Sequence, residues 1–209
     1  MRLMRLRWFI ISIKKIQSLF VVCRAMLVFG LVSLVFSFHF AYANASTLTW
    51  EELEEPQKTL LKKLWAVGEP FDFQYALIAI SYVESKLGLY PLNLQTYDCG
   101  VLHINIKSYL KFNNIKDSPI NRNIHWGNLI TDEDLSINAA LNTLQYFYNY
   151  WSKRRKNPME YAIKSYNAGF RAHSRTAQKY YNKVYKNIKA VKNLEKRGLL
   201  RQQRIRKDK

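Results

Sequence analysis

The chain has 209 residues, 48% of them hydrophobic, with 33 Lys and Arg against 15 Asp and Glu and a formal charge of +18. That length leaves room for one globular domain of ordinary size with extensions and excludes two large ones. Two cysteines exclude a disulfide framework, and His39, His103, His125 and His173 are scattered singly, without metal-ligand spacing, so neither a metal nor a cofactor is expected.

Residues 1–45 carry six basic residues (Arg2, Arg5, Arg7, Lys14, Lys15, Arg24) and no acid. An uncharged apolar run over 25–38 follows, then Ala41-Tyr42-Ala43 and Ala43-Asn44-Ala45. Charge, apolar core and small residues in that order read as a secretory signal cleaved after Ala43 or Ala45, which predicts an exported protein of the periplasm or cell envelope. The alternative is an uncleaved anchor, since 25–45 is uncharged and just long enough to span about 30 Å of hydrocarbon. Cys23 does not fit a lipidation site, because Val22 precedes it and the apolar core follows it. The remaining 27 basic residues still exceed the 15 acidic ones.

Thr49-Trp50-Glu51-Glu52 fits a capping box opening a helix with Leu60, Leu61, Leu64 and Trp65 on its apolar face, ended by Gly68. A second helix puts Phe73, Leu77, Ile80 and Glu84 on one stripe, with Ala76 and Val83 beside it and Gly88 as its cap. From 90 to about 123 the pattern breaks into loops around Pro91, Gly100 and Pro119, with 101–106 the plausible extended stretch. Helical spacing returns at Ile137, Leu141, Leu144, Tyr148 and Trp151, behind the acidic start Thr131-Asp132-Glu133-Asp134. Another helix runs from Asn157-Pro158 to Gly169. A last amphipathic helix carries Tyr181, Val184, Tyr185, Ile188 and Val191. The expected organisation is a signal over 1–45, one mostly helical domain over 46–195 and a basic tail over 196–209.

Glu84 is the residue with chemical promise. A carboxyl group taken out of water holds its proton more tightly, as an acid protonating a leaving glycosidic oxygen must. The stripe alone also allows a surface Glu paired with Lys86. Three segments read together point elsewhere: Val83-Glu84-Ser85, Gly100-Val101-Leu102-His103-Ile104 and Ser165-Tyr166-Asn167-Ala168-Gly169.

Their order and separation resemble the soluble lytic transglycosylase family, whose pattern is Glu-Ser at a helix end, Gly-Leu-Met-Gln-Ile in the cleft and Ala-Tyr-Asn-Ala-Gly on a later helix. The resemblance covers roughly residues 70–191. It implies an α+β, lysozyme-like fold in which Glu84 is the single catalytic carboxylate, acting as acid and then base on peptidoglycan. It implies further that Ser85 assists by hydrogen bonding, that Tyr166 lies near the catalytic Glu, and that Leu102, His103 and Asn167 contact the sugar. His103 departs from the family's glutamine, although imidazole also donates and accepts a hydrogen bond, one tautomer at a time.

The product implied is a 1,6-anhydro-muramyl end, without a second carboxylate. A lysozyme-type hydrolase and a non-catalytic envelope-binding protein stay open. The implied partners are peptidoglycan strands, the envelope or membrane through the basic tail, and a secretion, conjugation or flagellar machine. Nucleic acid is not expected, because no base-reading motif accompanies the charge.

Overall fold

A computed structural model describes residues 49–198 and Leu200; the expected signal segment and residues 201–209 lie outside the described residues. The first helix of the described residues, α1 (Glu55–Gly68), begins later than Thr49. Pro56 decides this, because its ring and missing N–H are tolerated only in a first turn. Gln57 closes the capping box by accepting the Glu54 N–H at 3.0 Å. Leu60, Leu61, Leu64 and Trp65 are buried, as their spacing predicts.

After a 3-10 turn at Glu69–Phe71, α2 (Gln74–Ser85) is apolar almost all round. Ala76, Leu77, Ile78, Ala79 and Ile80 are nearly fully buried, which makes it the central helix, packed against three others. It stops at Ser85 and not at Gly88. Lys86, Leu87 and Gly88 all take left-handed backbone (φ 55°, 56° and 82°), and the Leu87 N–H reaches back to the Ser81 carbonyl at 3.2 Å.

Three two-residue strands follow: β1 (Leu92–Asn93), β2 (Asp98–Cys99) and β3 (Ile104–Asn105). They form an antiparallel sheet in the order β1-β2-β3, with Cys99 opposite both Leu92 and Ile104. The stretch 101–106 is therefore not one extended segment. Gly100 and His103 are left-handed (φ 78° and 48°), which folds 100–103 into a turn, and helical backbone starts at Ile106.

Two helices occupy the region read as loop, α3 (Ile106–Phe112) and α4 (Pro119–Thr131). Pro119 starts α4 instead of breaking it, with Ser118 Oγ accepting the Asn121 N–H at 3.2 Å. Leu129 is the buried residue of α4, so no apolar stripe announces that helix.

The remaining helices are α5 (Glu133–Ser152), α6 (Pro158–Ala168) and α7 (Arg175–Lys196). Asp132 caps α5 through the Leu135 N–H at 2.9 Å, and Gly169 ends α6. In α7 the buried face is Ala177, Tyr180, Val184, Val191 and Leu194, so Tyr180 and not Tyr181 points into the core. Leu200 is also buried. Among the described residues the architecture is mostly helical with one small antiparallel sheet. The α2–α7, α5–α6 and α6–α7 contacts enclose Leu77, Ile80, Leu144, Ile163 and Val184, each worth about 1.5–3 kcal/mol of burial. Among the described residues no helix is long and apolar enough to cross a membrane.

Candidate active site

Glu84 occupies the penultimate position of α2, where the helix gives out beside a cleft of about 510 Å³. Its side chain is 20% exposed. Lys86 does not pair with it; the Lys86 ammonium lies 4.6 Å from the centre of the Tyr82 ring. The cleft is walled by the sheet, α3, α5 and the end of α6, and within it stand Glu84, Asp98, His103, Tyr166 and Asn167. The three motif segments thus meet at one opening.

Ser85 and Leu102 do not line it. Ser85 is fully buried, and its Oγ donates to the Val101 carbonyl at 2.6 Å while accepting the Gly88 N–H at 2.8 Å. The Ser81 hydroxyl donates to the same Val101 carbonyl at 2.8 Å. Ser85 therefore ties the end of α2 to the turn before β3 and positions Glu84; no face of it is offered to a ligand. The Leu102 side chain is core, and its carbonyl accepts the Tyr166 hydroxyl at 2.8 Å.

His103 fills the gap between the helix end and the sheet, with 7% of its side chain exposed. Its Nε2 lies 2.8 Å from the Tyr90 carbonyl and its Nδ1 3.4 Å from Glu84 Oε2. Burial pulls the imidazole's pKa down. The Glu84 carboxylate, the Tyr90 carbonyl and the charge of Asp98 outweigh burial together and leave it raised. The left-handed backbone that aims this ring is one His tolerates better than most residues.

Two residues went unnoticed in sequence as parts of this site. Tyr180, from α7, is buried, and its hydroxyl makes no hydrogen bond of normal geometry. Burial, then the Glu84 charge, then Tyr166 hold that phenol well above its ordinary pKa. Tyr166 is held high by burial first and by Glu84 and Asp98 after it. Both hydroxyls stay protonated beside the carboxylate. Asp98 is the second carboxylate of the cleft. Thr96 Oγ1 donates to it at 2.6 Å and Asn105 Nδ2 at 2.8 Å. The signal for Tyr180 was a phase shift of one residue on α7.

Polar and aromatic groups share the rest of the wall. Asn138 and Asn142 come from α5, and Phe112, Tyr146 and Phe147 supply ring area, with Phe112 and Tyr146 edge to face at 5.8 Å. Amides beside exposed rings suit a ligand with hydroxyl and amide edges and flat apolar faces, as sugars have. Among the described residues no group of three potential ligands is placed to hold a metal ion. Cys99 is buried, with its thiol pushed up to about 12 by burial and then Asp98, so it is no nucleophile.

No protein-family model, curated protein or solved structure matches this chain.

Proposed function

We propose that this protein is an exported lytic transglycosylase with a lysozyme-like catalytic domain, cleaving the β-1,4 bond between N-acetylmuramic acid and N-acetylglucosamine in peptidoglycan. The observation that carries the reading is the convergence of Glu84, His103, Tyr166 and Asn167, from three separate segments, on one amide- and ring-lined cleft.

In this reading Glu84 gives its proton to the glycosidic oxygen as the bond breaks. The resulting carboxylate lies near the protonated hydroxyl of Tyr180, a group of the kind that favours charge appearing in a transition state. The sugar's own N-acetyl carbonyl supports the positive anomeric carbon, the substrate-assisted alternative to a carboxylate nucleophile. Glu84 then takes the proton of the muramyl 6-hydroxyl, closing the 1,6-anhydro ring with no water added.

Asp98 in the same cleft favours one second reading, a hydrolase in which it holds the attacking water. The exposed Lys179, Lys183 and Lys186 of α7 give the enzyme a basic face for an anionic envelope, an attraction that salt weakens. Digestion of purified peptidoglycan followed by mass spectrometry tests the assignment. Anhydro-muramyl ends are expected, and reducing muramic ends in their place establish the hydrolase. Glu84→Gln is expected to abolish release of either product, and retained activity removes Glu84 from the mechanism.

A further inference from the structure

We propose that Glu84 and His103 form a dyad that holds a single proton between them, so that His103 sets the pH range over which Glu84 delivers its acid proton. The proposal rests on the glycan-cleaving reading for its catalytic consequence and on the geometry for the dyad itself.

A backbone carbonyl only accepts, so the 2.8 Å contact of His103 Nε2 with the Tyr90 oxygen requires a hydrogen on Nε2. That pins the tautomer. Nδ1 of the neutral ring is then a lone pair, and it faces Glu84 Oε2 at 3.4 Å, longer than an ordinary N–H···O bond and within ion-pair range. A lone pair facing a carboxylate is repulsive. One proton removes the repulsion, either as a carboxylic acid pointing at Nδ1 or as an imidazolium pointing at Oε2. The contact therefore favours one shared hydrogen between the two groups.

The surroundings keep the count at one. Asp98 from β2 adds negative charge that acts on the ring. The phenols of Tyr166 from α6 and Tyr180 from α7 stay protonated next to Glu84, so they neither remove nor supply the dyad's proton. The His103 backbone is held left-handed by its N–H to the Gly100 carbonyl at 3.1 Å, which fixes the ring's approach. Val101 ties to Ser81 and Ser85, so the helix end and the histidine turn form one block.

The proton bookkeeping closes over a turnover. The dyad begins with one proton, which rests on Glu84 as the leaving oxygen takes it. It then holds none, and the Nδ1 lone pair opposite the new carboxylate strengthens Glu84 as a base. The proton of the attacking hydroxyl restores the dyad to one. A glutamine at this position donates an amide hydrogen and stores no proton, so it reproduces the positioning of Glu84 and not the proton holding.

Two measurements on the full-length chain test this. Nitrogen NMR of labelled histidine in the wild type is expected to show the Nε2–H tautomer of His103 at high pH. It should also show a titration midpoint that drops in Glu84→Gln. An Nδ1–H tautomer, or a midpoint unmoved by Glu84→Gln, overturns the dyad whether or not glycan is cleaved. In the pH dependence of peptidoglycan release, His103→Gln is expected to cleave near pH 6, while its ratio of rates at pH 8 and pH 6 falls about tenfold below the wild-type ratio. An unchanged ratio overturns the catalytic part. Absence of cleavage by the wild type at every pH overturns the functional reading, and the NMR result still decides the dyad.

Discussion

Replacing Ser85 by Ala distinguishes a substrate contact from a tie inside the protein. The hydroxyl proton goes chiefly to the Val101 carbonyl at 2.6 Å, with the Ser81 carbonyl farther away at 3.1 Å. When Oγ is removed, Val101 keeps the Ser81 hydroxyl at 2.8 Å, so that carbonyl stays paired. The Gly88 N–H is the group that loses its partner, previously at 2.8 Å. Leaving one half-buried donor unpaired and losing one hydrogen bond costs about 2 kcal/mol. For a body of this size that lowers Tm by about 4–8 °C. The assay is thermal unfolding of the purified variant alongside glycan turnover well below its Tm, where KM is expected within about twofold of wild type. A tenfold rise in KM with Tm unchanged refutes the reasoning, because it puts the hydroxyl in the cleft. Ser81→Ala combined with Ser85→Ala is expected to cost more than the sum of the two, since only the double variant strips Val101 of both donors.

Gly100→Ala is expected to destabilise by about 3 kcal/mol or more, read as the urea midpoint, because φ is 78° and an added Cβ meets the Leu129 carbonyl oxygen at 2.6 Å. Tyr180→Phe is expected to lower glycan turnover about tenfold or more, since it deletes the phenol hydroxyl that acts on Glu84. Intact turnover overturns that assignment. His103 makes stability depend on pH with a definite sign. Its pKa is raised on folding, so its contribution is complete below the unfolded value of about 6.5 and is lost as pH rises through the folded one. Tm measured from pH 5 to 9 is expected to show this loss in the wild type and to lack it in His103→Gln.

Local chemistry made part of the fold legible. Asp132 before α5, and Pro158 and Gly169 at the ends of α6, are start and stop signals contained within a few residues, and those helices lie where the signals put them. Helix α4 was not legible, because a helix with one buried residue has no apolar stripe to reveal it. The stretch 101–106 reads as a strand because its alternation is apolar enough for one. The Gly100 and His103 turn that breaks it is a backbone conformation, and side-chain pattern does not encode that directly.

For the site, residue order alone establishes which groups are available: one carboxylate at the end of an apolar helix, a histidine after a glycine, and a Tyr-Asn pair closing a later helix. Tertiary structure decided what each faces. Ser85, adjacent to Glu84 in the chain, turns inward because the Val101 carbonyl of another segment needs a donor there. Tyr180 reaches Glu84 only because α7 packs on α2 with Ala177, Tyr180 and Val184 inward. The raised pKa of His103 arises from Glu84, Tyr90 and Asp98, which only the folded chain brings around one ring. Hydrogen bonds and charges act over a few ångströms, and for residues this far apart in sequence only packing sets that distance.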